Sequence, residues 1–342
     1  MDAALETLFL KLRNFPDSFW QDKTLAFLGA RYHPSFNLFD RSRLFLQQHF
    51  KPYAELLQDG GYCVHSLLSE PAEMFDAVFI LLPKNISEAR FVVAQGLSFL
   101  RPGGMVFCAA GNDAGGGRIF KMLQQFGVSD LQQTSKNKAK AVSGVLRDFD
   151  RAAVTQTLKD GQMQPVLGGR FVSLPGLFSW DRVDRGSDLL VSYLPSVLTG
   201  RCADFGCGYG FLAQHALGRC SGVTEMVCID ADFRALQACR KNLDNFSGVQ
   251  KRFLWEDLST GVSPVSDQDV VIMNPPFHEG KKMDADVGRG FILSAADALR
   301  AGGMLYMVAN RQLPYENLLQ EKFSEYSKLY EGEGYKIYAA RR

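Results

Sequence analysis

Two stretches in different halves of this 342-residue chain follow one pattern, and that pattern constrains the fold more than anything else in the sequence. Asp76-Ala77-Val78-Phe79-Ile80-Leu81-Leu82-Pro83-Lys84 lines up with Asp269-Val270-Val271-Ile272-Met273-Asn274-Pro275-Pro276-Phe277. Further on, Leu100-Arg101-Pro102-Gly103-Gly104-Met105 lines up with Leu299-Arg300-Ala301-Gly302-Gly303-Met304. A short, unbroken apolar run reads as a strand buried on both faces. The Gly-Gly stretch ends a helical segment and opens the next strand. Strands alternating with helices imply a mostly parallel sheet, and the repetition implies two copies of one α/β domain. The alternative is convergent patterning in unrelated Rossmann-like folds. The expected organisation is a first copy over 1–153, a polar linker over 154–164 and a second copy over 165–342. Within the second copy, Pro165–Val172 reads as a hairpin turning at Gly168-Gly169. Ser187 is expected to cap a helix carrying Leu189, Leu190 and Leu194.

The copies are not equivalent. After its first strand, the second half carries Asp204-Phe205-Gly206-Cys207-Gly208-Tyr209-Gly210. Glycines there let the backbone pass close to a ligand, and the helix that follows points its N–H groups at it. Ligands on such sheets bind beyond the carboxyl ends of the strands. Asp230 ends the apolar run Met226–Ile229 and suits ribose hydroxyls. Asp257 is placed to accept from an adenine amino group or to cap a turn. Cys207 reads as a small filler within the turn. The first half offers only Leu28-Gly29-Ala30-Arg31 at the turn, with Leu81 where the second half has Asn274 and Lys84 where it has Phe277. It reads as a catalytically silent copy.

Asn274-Pro275-Pro276-Phe277 states the chemistry. An amino nitrogen attached to a base or amide shares its lone pair with the π-system and is a poor nucleophile. Acceptors for both N–H hydrogens favour a pyramidal nitrogen with its lone pair aimed at an electrophile. The Asn274 oxygen can accept one, and the Pro275 carbonyl the other. Pro275 and Pro276 restrict the backbone of the residues before them, so little entropy is lost in aiming these groups. Phe277 can stack on a planar substrate, a contact worth about 1–3 kcal/mol per base. With a nucleoside cofactor on the glycine turn, this points to methyl transfer from S-adenosylmethionine (SAM) to an exocyclic nitrogen. An NAD-dependent oxidoreductase is disfavoured, because nothing resembles a hydride-transfer constellation.

Composition bounds the partners. Net charge is +1, so a nucleic-acid site must be a local patch rather than a global field. Lys281, Lys282, Arg289, Arg311, Lys336, Arg341 and Arg342 are candidates. The seven cysteines show no Cys-x-x-Cys spacing, which argues against a disulfide framework or a zinc site and suits a reducing cytosol. No metal is expected. No secretory signal pattern and no membrane-spanning apolar run are evident, so the expected location is cytoplasmic. A monomer is expected, although the sequence does not fix the oligomeric state.

The turn from Asp204 to Gly210, Asp230 and Asn274-Pro275-Pro276-Phe277-His278 resemble those of class I SAM-dependent methyltransferases that act on exocyclic amines. Leu174-Pro175-Gly176-Leu177-Phe178-Ser179, Asp184-Arg185-Gly186-Ser187, Val308-Ala309-Asn310 and Leu313-Pro314-Tyr315 make the resemblance more specific. With a degenerate first half, they resemble the bacterial 16S ribosomal RNA guanine-N2 methyltransferase family, RsmC. The resemblance covers nearly the whole chain and is strongest from about Pro165. It implies tandem methyltransferase-like domains of which the second binds SAM through Asp204, Gly206, Cys207, Gly208, Gly210, Asp230, Asp257 and Asn274. It also implies catalysis by Asn274, Pro275, Pro276 and Phe277, substrate contacts from Phe178, Phe277 and His278, and 16S rRNA in the small ribosomal subunit as partner. Trp180 and Arg182 depart from the Ser-Arg-Asp-Gly expected there. The alternatives are a large-subunit guanine-N2 methyltransferase of the RlmG type, a protein-glutamine or adenine-N6 methyltransferase, and a non-catalytic RNA-binding assembly factor.

Overall fold

The computed structural model describes residues 2–69, 74–276 and 283–342, without the side chains of Asp17 and residues 283–285. The chain folds as two compact units, Met1–Gln162 and Met163–Arg342.

In the first unit the strands are β1 (Leu25–Leu28), β2 (Leu44–Gln47), β3 (Val64–His65), β4 (Phe75–Leu81), β5 (Leu100–Gly111), β6 (Ser129–Lys136) and β7 (Ala139–Val145). Its helices are α1 (Ala3–Leu10), α2 (Lys51–Asp59), α3 (Ile86–Phe99), α4 (Ile119–Gln125) and α5 (Arg151–Asp160). The second unit opens with the hairpin β8 (Gln164–Val166) and β9 (Phe171–Ser173). Then come β10 (Thr199–Phe205), β11 (Gly222–Asp230), β12 (Gln250–Trp255), β13 (Gln268–Met273), β14 (Leu299–Asn310), β15 (Glu325–Gly332) and β16 (Tyr335–Arg341). Its helices are α6 (Arg185–Tyr193), α7 (Phe211–Arg219), α8 (Phe233–Asn242), α9 (Met283–Ala298) and α10 (Glu316–Lys322).

Each unit holds one seven-stranded sheet, in the orders β3-β2-β1-β4-β5-β7-β6 and β12-β11-β10-β13-β14-β16-β15. Five adjacent strands of each pair in parallel, and a closing hairpin adds two antiparallel pairings, so that β7 and β16 alone run against their sheets. The likeness extends to individual bonds. Asp76 binds the Arg101 guanidinium at 3.0 Å and the Thr24 N–H at 2.8 Å; Asp269 binds Arg300 at 2.6 Å and the Arg201 N–H at 2.7 Å. Gly103 N–H donates to the Leu146 carbonyl, and Gly302 N–H to that of Arg342. Strands β4 and β13 are buried on both sides of their sheets, as their unbroken apolar runs require.

The segment read as a linker, 154–164, is mostly the helix α5. Asp150 caps it, and Val154 packs into the first unit's core beside α3. Only Val154 and Thr157 are buried in this helix, so its apolar stripe is too thin to stand out in the sequence. No helix among the described residues is long and apolar enough to cross a membrane.

Candidate active site

The site is built where β10, β11 and β13 end side by side. Their register pairs Phe205 with Ile229 on one side and with Met273 on the other. The glycine turn, Asp230 and Asn274 therefore emerge together at one edge of the sheet.

Backbone bonds hold the glycine turn. Gly206 and Cys207 N–H groups both donate to the Ile229 carbonyl, at 2.8 and 3.0 Å, and Gly208 N–H donates to Asp230 Oδ2 at 2.8 Å. Gly210 caps α7 at φ 90°, and a Cβ there would stand 2.8 Å from Cys239 Sγ. Both conformation and space thus require glycine at this position. The first turn of α7 presents N–H groups toward the same edge, where an anionic group is favoured.

Asp204 lies one residue before the end of β10, beneath the glycine turn. It is fully buried at 0% exposure, and its Oδ2 accepts the Ala213 N–H of α7 at 3.0 Å. Burial pushes its carboxyl well above the usual carboxylate range. Oδ2 ties the turn to the helix, while Oδ1 is buried with no hydrogen-bond partner among the described residues. Cys207 contributes backbone to the turn and turns its thiol inward. Asp230 fits the ribose role. Each of its oxygens accepts one backbone N–H, from Gly208 and from Asp232, which leaves each a lone pair for a hydroxyl. Burial pushes its carboxyl up to about 6. Asp257, just past β12, caps a turn through the Ser259 N–H at 2.9 Å. It lies just past the carboxyl end of β12, on the same side of the sheet as the glycine turn.

Asn274 follows β13 directly. Its Nδ2 donates to Asp184 Oδ2 and to Ser187 Oγ, both at 2.8 Å. A carboxylate only accepts, so this pair fixes which end of the amide is nitrogen. The other end, Oδ1, is buried and has no hydrogen-bond partner among the described residues. An unpaired buried acceptor costs about 1–3 kcal/mol, which a ligand N–H can recover. The result is an acceptor fixed in place before substrate arrives.

Asp184 and Ser187 hold the Asn274 amide, a role that their local sequence does not announce. Ser187 was expected as the helix cap. Instead Asp184 caps α6 by accepting the Ser187 N–H at 2.8 Å, and the freed Ser187 hydroxyl meets Asn274. The signal lay in Asp184-Arg185-Gly186-Ser187, a cap sequence with two oxygens to offer. Its target lies 90 and 87 residues away, beyond the reach of any local pattern.

Phe178, 55% exposed, joins Asp184, Ser187, Asn274 and the glycine turn around a cavity of 40 Å³. That volume is on the scale of one water molecule or one amino group. Where Trp180 and Arg182 depart from the family pattern, Trp180 packs against the core and the Arg182 carbonyl accepts the Tyr209 hydroxyl at 3.2 Å, pinning this loop to the glycine turn. Pro275 is buried and Pro276 exposed. Phe277, His278, Lys281 and Lys282 lie outside the described residues.

Three of the proposed nucleic-acid cations have acidic partners. Lys336 pairs with Glu316, Arg311 with Glu331 and Arg341 with Glu325. The fold also gathers what the cysteine spacing did not reveal. Cys207, Cys228 and Cys239 lie with all their sulfurs within 4.8 Å of one another.

Comparison with known proteins identifies the family. Residues 168–339 match the family model for the methyltransferase small domain. A ribosomal RNA small subunit methyltransferase C of Shewanella loihica is 30% identical over 79% of this chain and 78% of its own length. That of Pseudomonas paraeruginosa is 31% identical over 80% and 81%. Among solved structures, the T. thermophilus 16S rRNA N2 G1207 methyltransferase (RsmC), in complex with AdoMet and guanosine, superposes with a TM-score of 0.78 at 23% identity. The match covers 98% of this chain and 92% of that one, and it establishes the two-unit fold. The sequence relatives, the family model and the shared architecture together show that this chain belongs to the ribosomal RNA small subunit methyltransferase C family.

Proposed function

We propose that this chain transfers a methyl group from SAM to the exocyclic N2 of a guanine in 16S rRNA of the small ribosomal subunit, in the cytoplasm. The observation that carries this reading is the Asn274 amide. Asp184 and Ser187 hold its nitrogen, and its buried oxygen is left open beside the glycine turn. When bound, SAM supplies an electrophilic methyl on a sulfonium sulfur. Asp230 holds the ribose hydroxyls, and the glycine turn with the α7 N-terminus holds the carboxylate end. Asn274 Oδ1 accepts one N–H of the guanine amine, and the Pro275 carbonyl is assigned the second. As the nitrogen attacks, its N–H bonds polarise, so both acceptors bind the transition state more tightly than the ground state. The methylated nitrogen then loses its proton to solvent, and no strong base is required. A guanine must leave its stack to reach this edge, and Phe178 and Phe277 are the rings available to receive it. In this reading the first half binds no cofactor.

The test uses purified protein, isotopically labelled SAM and ribosomal subunits from a strain lacking this gene, with labelled nucleosides identified by mass spectrometry. N2-methylguanosine from the small subunit is expected. The same nucleoside from the large subunit would move the substrate to the RlmG type. No labelled RNA despite SAM binding would overturn the reading and direct attention to a protein acceptor.

A further inference from the structure

Three thiols meet beneath the glycine turn, and methyl transfer uses none of them. Cys207 comes from the turn, Cys228 from β11 beside Asp204, and Cys239 from α8. They are 6%, 0% and 0% exposed, and their sulfurs all lie within 4.8 Å of one another. We propose that Cys207, Cys228 and Cys239 form a three-thiolate site for one soft, thiophilic metal ion, of which monovalent copper is the fitting class.

The geometry is close to what such an ion needs. A trigonal site with metal–sulfur bonds of about 2.3 Å places its sulfurs about 4.0 Å apart. Each pair therefore has less than about an ångström to close. Among the described residues, no histidine or carboxylate joins the three thiols as a fourth ligand. Zinc prefers a closed tetrahedron in structural sites, whereas an all-thiolate set selects soft ions such as Cu(I). Cys207 is also a residue of the cavity walled by Asn274 and Gly208, so the thiol cluster lies one residue's thickness beneath the active-site side. On coordination each thiol gives its proton to solvent, and no oxidant or reductant is consumed when the ion arrives as Cu(I).

The site would communicate with the cofactor edge. Cys207 sits between Gly206 and Gly208, and the turn is seated by bonds to the Ile229 carbonyl and Asp230. Gly210 lies directly against Cys239. Drawing the Cys207 sulfur onto an ion moves the turn off that seat, so copper and SAM oppose each other. By linkage each weakens the other by the same factor. This coupling, unlike the metal site itself, rests on the proposed function.

The test uses the full chain carrying Cys63→Ser, which removes the exposed cysteine. Under anaerobic conditions the protein competes for Cu(I) against bicinchoninate, a coloured chelator. One equivalent of copper is expected to leave the chelator, with three sulfur neighbours in its X-ray absorption spectrum. Cys228→Ala and Cys239→Ala should each weaken uptake by more than the roughly 10–100-fold that losing a partner of a metal ligand costs, since a ligand itself is removed. Cys220→Ala, outside the triad, should leave it unchanged, and circular dichroism checks that each variant is folded. No chelator-resistant copper, or equal uptake by a folded Cys239→Ala protein, would overturn the site and leave the thiols as small apolar filler. Calorimetry with SAM should show weaker binding to the copper-loaded protein, and equal affinity with and without copper would overturn the coupling. Absence of SAM binding by the copper-free protein would count against the methyl-transfer reading and not against the thiol site.

Discussion

The two sheets share strand order, register and the Asp–Arg and backbone bonds that seat their strands, yet they part company along the carboxyl edge. Register places Leu28 opposite Ile80 and Phe205 opposite Met273, so Gly29, Arg31 and Leu81 occupy the positions of Gly206, Gly208 and Asn274. Gly29 and Gly206 even keep the same backbone, at φ 68° and 72°. Gln48 stands where the second half has Asp230. It repeats the scaffold half of that role by accepting the Phe50 N–H at 2.9 Å, as Asp230 accepts that of Asp232. Its amide nitrogen donates to the Ala30 carbonyl at 2.8 Å, so a buried neutral amide stands where the second half has a carboxylate with two acceptor oxygens. Arg31 pairs with Asp2 at the start of α1 and stacks on Tyr53. The lesson is that duplication preserved the bonds that close within a domain. Among the described residues, the second half keeps buried acceptors unpartnered near this edge, Asn274 Oδ1 and Asp204 Oδ1, where the first half has Leu81 and Phe27.

The largest effect expected from breaking this asymmetry is at Asn274. Asn274→Ala should lower single-turnover methyl transfer by about 10²–10³-fold, the usual loss for one preorganised transition-state hydrogen bond, with SAM affinity nearly intact. Leu81→Ala at the matching position should leave transfer unchanged, and near-normal turnover by the Asn274 variant would sink the assigned role. Next comes Gly210→Ala. Left-handed strain of about 1–3 kcal/mol, added to the encounter with Cys239 Sγ, should lower the melting temperature and weaken SAM binding about tenfold or more. Gly29→Ala carries similar strain and should lower the melting temperature without changing SAM affinity. A thermal melt beside calorimetry separates the two.

The pH dependence is set by Asp230. Its carboxyl is raised from 3.8 to about 6 by burial, and ribose hydroxyls donate to the ionised form. SAM affinity should therefore be flat above that value and fall about tenfold per pH unit below it, as protonation removes the acceptor. Asp230→Asn should bind weakly with a flat profile. For the unliganded domain the sign is opposite. The raised value favours the protonated folded state at low pH, and that stabilisation is lost as pH rises from 3.8 to about 6. The smallest effect is expected from Ser187→Ala. It leaves Asp184 holding the Asn274 amide and forfeits one hydrogen bond of about 0.5–1.5 kcal/mol, a few-fold loss in turnover at unchanged KM. A full Asn274-sized loss from Ser187→Ala would mean that the hydroxyl does more than hold the amide.

Local patterns made the fold legible. The two apolar runs, the Gly-Gly openings and the hairpin at Gly168-Gly169 each announce themselves within ten residues or so. What escaped were features made by distant segments or by weak periodicity. α5 passed for a linker because only one small stripe of it is buried. The turn's spacing says nothing about which way the Asp204 carboxylate points, and its bond to the α7 backbone is not legible there. Asp184 and Ser187 gain their meaning only from Asn274. The thiol cluster joins a turn, a strand and a helix at spacings that no metal-binding motif shares.

One cofactor site per chain, in the second half, is the central expectation. Titration calorimetry of the full chain with SAM measures this directly. The expected result is one equivalent bound, lost in Asp230→Ala and retained in Gln48→Ala. Two equivalents per chain, or binding that survives Asp230→Ala and disappears with Gln48→Ala, would contradict it.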